Sequence, residues 1–174
     1  FEALQGAAPG LEFVPGGEAE TPALWIYDGV APPSAEAPGI YLLPPAAGSP
    51  VRVARAGRQV ELSSWNASHP LAAGLRDTDL TLPQALLLEP EDGDVVFASS
   101  AEGPLAVARQ TAAGRQVVFG FDPLSGEMAN RLSGPLLFAN ALRWMDPGLF
   151  RTAEFRAQSP GSLQFELHGA APDT

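Results

Sequence analysis

Apolar residues follow two rhythms along this chain. Short unbroken runs come first: Ala23-Leu24-Trp25-Ile26-Tyr27, ending at Asp28-Gly29-Val30, and Gly39-Ile40-Tyr41-Leu42-Leu43, stopped by Pro44-Pro45. Runs of this length predict strands buried on both faces. Alternation then takes over. Val51–Arg55 and Gln59–Leu62 alternate about Ala56-Gly57-Arg58, which predicts a hairpin with one wet face. Leu86–Leu88 and Val95–Ala98 predict short strands. Leu105–Gln110 and Gln116–Gly120 flank the turn Thr111–Arg115 and predict a second antiparallel pair. One long stretch keeps helical period. Apolar residues at 132, 136, 137, 141, 144 and 145 predict a helix from Leu132 to Met145, stopped by Asp146-Pro147-Gly148. Ser68–Leu75 reads as a single helical turn, with Pro70 where a first turn tolerates it and Gly74 near its end.

At the margins, Phe1–Gly10 has the look of a helix tail and Leu11–Val14 of a short strand. Residues 148–174 form an extension whose alternating run, Ser162–His168, is an extra strand or the start of a further module. Together these elements predict an α/β fold: a three-layer sheet with antiparallel additions, occupying residues 1–147. The first residue is Phe rather than Met, so the expectation is a piece of a longer polypeptide.

Composition narrows the chemistry. The chain has a formal net charge of −10, and its basic residues are ten scattered arginines with no lysine. Phosphate recognition needs clustered cations, so no nucleic-acid partner is expected. An acidic surface also repels an anionic membrane, and no run of about 18 apolar residues exists to cross one. The absence of cysteine removes disulfides, thiolate metal sites and thiol catalysis together.

A set of short motifs resembles a known family. Phe1-Glu2-Ala3-Leu4, Pro9–Val14 and Ile26-Tyr27-Asp28-Gly29-Val30-Ala31-Pro32 are followed by Ser64-Trp65 with His69-Pro70-Leu71. Gly103-Pro104-Leu105, Gly120-Phe121-Asp122-Pro123 and Leu136–Met145 complete the order. This resembles the class I glutamine amidotransferase-like domain of bacterial membrane-anchored proteins of the aerotolerance-regulator type, which also carry a von Willebrand factor A module. The resemblance implies a flavodoxin-like sheet whose first strand would precede Phe1 and is therefore lacking in this fragment. It also implies an envelope-associated parent, periplasmic or extracytoplasmic. True amidotransferases place a Cys nucleophile on a strand-to-helix elbow. Here the corresponding place should follow the Ile40–Leu43 strand or one nearby, and after Ile40–Leu43 the chain reads Pro44-Pro45-Ala46-Ala47-Gly48. The resemblance therefore implies a relative without catalysis, and no catalytic residue is carried over.

Four side chains are candidates for a binding crevice: Asp28, Trp65, His69 and Asp122. Asp28 and Asp122 end predicted strands, where open α/β sheets place working residues. A carboxylate pair there can hold Mg²⁺ or Ca²⁺, but oxygen-ligand sites usually draw on more carboxylates, and loop capping outweighs the metal reading. His69 could act as a general base beside Ser64 or Ser68, yet nothing supplies a third triad member, so capping of the turn at Pro70 is the stronger reading. Trp65 lies in a polar stretch and could cover the crevice or meet a partner. Glu89, Glu91, Asp92 and Asp94 lack calcium-loop spacing and read as a solvated turn. Asn66-Ala67-Ser68 matches the glycosylation sequon and carries little weight.

The expectation is a non-catalytic ligand- or protein-binding, scaffolding domain of a larger protein. It needs no cofactor or metal, and its partner is another protein or another domain of the same chain. The alternative is a hydrolase, metal-assisted or not, using Asp28, His69 and Asp122. Convergence of those three side chains on one pocket would favour the alternative.

Overall fold

A computed structural model describes residues 24–148 and the backbone of two further strands, 154–159 and 162–166. The expected elements at Phe1–Gly10 and Leu11–Val14 lie outside the described residues. The fold is mixed α/β. Among the described residues its main sheet has seven strands: β1 (Ile26–Asp28), β2 (Gly39–Leu42), β3 (Arg52–Trp65), β4 (Leu80–Glu89), β5 (Val95–Ser100), β6 (Gly103–Thr111) and β7 (Gly114–Phe119). Their spatial order is β1-β2-β7-β6-β5-β3-β4. β1, β2 and β7 run parallel, and every later pairing is antiparallel. β8 (Glu154–Ser159) and β9 (Ser162–Glu166) pair with each other in a separate two-stranded sheet.

Period two divides the core. Ile40, Leu42, Val117 and Phe119 face one side of the sheet, and Tyr41 and Val118 between them face the other. The first side packs against a short helix α1 (Gly126–Ala129), the long helix α2 (Ser133–Met145) and a 3₁₀ turn, Pro70–Ala72. Helix α2 lays Leu137, Phe138, Ala141 and Leu142 on the sheet. Full burial of each large side chain there contributes about 1.5–3 kcal/mol. Asn140 ties the turn to the helix by donating to the carbonyls of Leu71 and Ala73 at 3.2 and 2.9 Å.

The other side gathers Tyr27, Tyr41, Val107 and Val118 with Val51 and Leu88, and Val53 and Leu86 pack against them. The β3–β4 ribbon thus supplies residues to both cores, and it bends to do so. Its inward residues are Gly57 and Val60 on β3, paired with Ala85 and Leu82 on β4. On both strands the inward spacing is three residues instead of two. Gln59, in the bend, has φ 51°, and it lies where Pro83 interrupts the opposite strand. The bent ribbon brings Leu86 back to β7, where its N–H donates to the Gly120 carbonyl at 2.5 Å.

Two expectations are corrected here. Residues 51–62 are not a hairpin: Val51 precedes, and 52–62 belong to, a single 14-residue strand. A turn and a bend both reverse the phase of alternation, and Gly57 belongs to the bend: a Cβ there would come within 2.6 Å of Val60 Cγ2. The strand expected at Leu86–Leu88 extends from Leu80 to Glu89. Pro83 reads as a breaker, but it is exposed in a strand that ends the sheet order, where a missing N–H is tolerated. The second hairpin and the long helix lie within one or two residues of expectation.

Candidate functional site

Strand register locates the four candidate residues. Asp28 pairs with Leu42, Leu42 with Phe119, Phe119 with Ala106, Ala106 with Ala98, and Ala98 with Trp65. Asp28 and Trp65 therefore share one row but are separated by five strand spacings, roughly 24 Å along the sheet at about 4.8 Å each. Asp122 lies three residues beyond Phe119, at the carboxyl end of the parallel strands. β3 runs antiparallel to β7, so the chain leaving Trp65 descends to the opposite end, carrying His69 with it. The four residues do not form one crevice. Asp122 borders the cleft at the carboxyl ends of the parallel strands, and Asp28, Trp65 and His69 are not among the residues that line it.

At the lower end, His69 is an N-cap. Its Nδ1 accepts from the Leu71 N–H at 3.3 Å, at the start of the 3₁₀ turn. Its ring lies against Phe97 and Trp144, with centroids 6.1 and 5.8 Å apart. Burial pushes its pKa below the usual histidine value. Trp144 also carries the Arg115 guanidinium 5.1 Å from its ring centre, and Arg115 Nη1 donates to the Trp144 carbonyl near the helix end. Trp65 itself stays in the Phe119 row, above His69; it is half-buried against the core, and its indole N–H donates to the Asp77 carbonyl at 2.7 Å. Its polar group is thereby committed to bracing the loop that returns to β4.

At the upper end, a cleft of about 230 Å³ opens where β2 and β7 finish. Leu43, Phe121 and Met128 supply apolar wall, and Thr81, Gln84 and Asp122 supply polar groups. Asp122 Oδ1 accepts from the Leu124 N–H at 2.8 Å, which shapes the loop leaving β7. Glu127 also borders the cleft and pairs with Arg131, which reaches Asp79 at 3.0 Å. Leu43 has φ 45°, a left-handed conformation that a bulky residue seldom adopts, and it precedes a proline. Asp28 is exposed at the same end of the sheet, on the strand beyond β2, and does not line this cleft. Among the described residues, no group of three or more His, Cys, Asp or Glu side chains is placed to hold a metal ion.

Two polar arrangements escaped sequence reasoning. Arg109 clasps Asp94 through two bonds of 2.7 and 2.8 Å, reaches Glu91 at 3.1 Å, and donates to the Pro50 carbonyl at 2.7 Å. The Asp94 side chain is only 3% exposed, so the acidic turn is not solvated throughout. Burial opposes ionisation of Asp94, but the Arg109 and Glu91 N–H hydrogen bonds outweigh it and hold the carboxyl below its usual range. Gln116, fully buried on β7, donates to the Ala35 and Ala37 carbonyls at 2.8 and 2.9 Å. The Tyr41 hydroxyl also donates to Ala37, and its pKa is pushed up to about 12, chiefly by burial. Alternation marks Gln116 as inward-facing, but no motif singles it out.

Fold and site together define a mixed α/β domain with a small cleft at the carboxyl ends of its parallel strands. No protein-family profile and no curated protein matches the chain. Two solved structures from Salmonella typhimurium share the fold. The cytoplasmic protein STM1381 of strain LT2 aligns with a TM-score of 0.51 and 13% identity, over 62% of this chain and 56% of its own. The cytoplasmic protein STM3548 aligns with a TM-score of 0.50 and 15% identity, over 62% and 55%. The match thus spans little more than half the length of either neighbour. The periplasmic or extracytoplasmic location implied by the family resemblance is corrected by this comparison, since both neighbours are named as cytoplasmic proteins. Among the described residues no helix is long and apolar enough to cross a membrane.

Proposed function

We propose that this domain is a non-catalytic binding module that receives its ligand, or a segment of a protein partner, in the cleft at the carboxyl ends of β2 and β7. The observation that carries this reading is the separation of the polar candidates. The only histidine among the described residues caps a turn at one end of the sheet, while the cleft opens at the other end. A nucleophile, base and orienting group within mutual reach are the minimum for acyl-transfer chemistry. The cleft is bordered by the hydroxyls of Thr81 and Ser125 and the carboxylates of Asp122 and Glu127, but among the described residues no side-chain hydrogen bond joins a hydroxyl to a carboxylate there, and Ser125 Oγ donates to the Asp122 carbonyl instead. Binding asks less of a site: a concave apolar wall and a few polar groups to fix orientation.

We also propose that the three parallel strands descend from a flavodoxin-like sheet of the amidotransferase-like kind, with the antiparallel ribbon added to it. Support comes from the adjacency of β1, β2 and β7, the helix α2 laid across them, and the position of the cleft at their carboxyl ends. Fold and site are separable, so such a sheet can keep a crevice without its chemistry.

Amide-resolved NMR with a small-fragment library tests the binding reading. The expected result is saturable shift changes at Leu43, Phe121 and Ser125. Fragments that move only the His69–Trp144 end would overturn it.

A further inference from the structure

The strained backbone at Leu43 has a use that its turn does not require. Glycine adopts φ 45° freely, and leucine does not. Leu43 is held there by its N–H bond to the Phe119 carbonyl at 3.0 Å, and its side chain borders the cleft beside Phe121 and Met128. A bulky residue in a left-handed conformation at a strand end is the backbone device by which nucleophile elbows push a side chain out over a sheet. In this chain the side chain pushed out is apolar.

The polar rim has a definite sign. Asp122 and Glu127 border the cleft, and Arg131 and Asp79 stand behind Glu127 as a pair. Arg58 lies opposite Gln84 in the ribbon, outside the cleft lining. One oxygen of Asp122 takes the Leu124 N–H, and no bond to its second oxygen is found among the described residues.

We infer that Leu43 is the specificity-determining anchor of this cleft, and that the ligand class is a compound with an apolar body and a hydrogen-bond donor head. The apolar body packs on Leu43, the partly exposed member of the apolar wall, with Phe121 and Met128 buried behind it. The donor head, an ammonium or hydroxyl, meets the Asp122 carboxylate, and anionic heads are turned away by Asp122 and Glu127. This inference rests on the reading of the cleft as a binding site.

The test titrates the protein with three probes of one shape, phenethylammonium, 2-phenylethanol and 3-phenylpropanoate, followed by amide shifts. The expected order is ammonium tightest, alcohol next, and carboxylate at least tenfold weaker than ammonium. Asp122→Asn should reduce the ammonium-to-carboxylate ratio at least threefold. Leu43→Gly should weaken all binding at least fivefold while leaving the melting temperature unchanged or raised, an outcome that a merely structural leucine would not produce. If the carboxylate binds the cleft best, or if Leu43→Gly leaves affinity unchanged, the inference fails and the binding reading stands. If no probe moves any cleft amide, both fail.

Discussion

His69 offers its Nδ1 lone pair to the Leu71 N–H, and protonation abolishes that acceptor. Burial lowers its pKa in the folded chain, so between the folded and unfolded values the unfolded chain binds more protons. Stability is therefore complete above about pH 7.5 and declines as pH falls through about 6.5, the value expected of an unfolded histidine. Urea midpoints measured from pH 8 to 5.5 should show this fall. His69→Asn, which keeps a capping acceptor but does not titrate, should flatten it. A curve of unchanged slope in the variant would show that His69 is not the group responsible. The Arg109–Asp94 clasp acts in a lower window. The folded Asp94 carboxyl is depressed, so its contribution is present above about pH 4 and is lost as pH falls further. Arg109→Met leaves Asp94 buried without its partner and should cost about 3–5 kcal/mol in urea unfolding at pH 7. Adding Asp94→Asn to that variant should recover part of the loss, because the uncompensated buried charge is then gone.

The bent ribbon shows what a linear pattern can and cannot convey. β2 and α2 were legible because each follows one period throughout, an unbroken apolar run for β2 and a 3.6-residue stripe for α2; β7, whose Arg115 and Gln116 are polar, was legible as a strand of the second hairpin but not as the parallel partner of β2. β3 was not, because its period breaks at Arg58-Gln59 and the partner that explains the break, Pro83, lies 24 residues further along. The candidate site fared similarly. Asp122 was legible as a strand-end carboxylate beside a crevice, but Leu43 reads as ordinary core, and a backbone angle leaves no trace in hydropathy. Asp94 looked solvated because the cation that buries it comes from another strand. The bend makes a prediction against β-propensity. Gln59→Val introduces a better strand former but must adopt φ 51°, and it should cost about 1–2 kcal/mol. Gln59→Gly relieves that strain and adds backbone entropy to the unfolded chain, so it should stay within about 0.5 kcal/mol of the parent. The return of β4 onto β7 is less forgiving. A Cβ on Gly120 would sit 2.1 Å from the Leu86 carbonyl oxygen, so Gly120→Ala should cost about 3 kcal/mol, with the obstacle being backbone rather than a movable side chain.

The domain as a whole has two ends that its candidate residues divide between them, and the sheet between them sets how far they influence each other. α2 spans this distance. It starts near Met128 and the cleft, where a Cβ on Gly134 would come within 2.5 Å of the Met128 carbonyl oxygen, and it finishes at Trp144 beside His69. A rigid helix could carry strain from one end to the other, but coupling needs an element with two arrangements that both sites bias. Here the helix is fixed along its length by the core contacts of Leu137, Phe138, Ala141 and Leu142 and by Asn140 on the 3₁₀ turn. Changes at the two ends should therefore be independent. The losses in stability from His69→Ala and Asp122→Ala, each removing a hydrogen-bond acceptor from a backbone N–H, should add in the double variant to within about 0.5 kcal/mol. Phenethylammonium affinity should fall with Asp122→Ala and be unaffected by His69→Ala. A double-mutant interaction above about 1 kcal/mol, or a cleft that responds to His69, would mean that α2 transmits between the ends and that the crevice extends functionally along the whole helix-covered face.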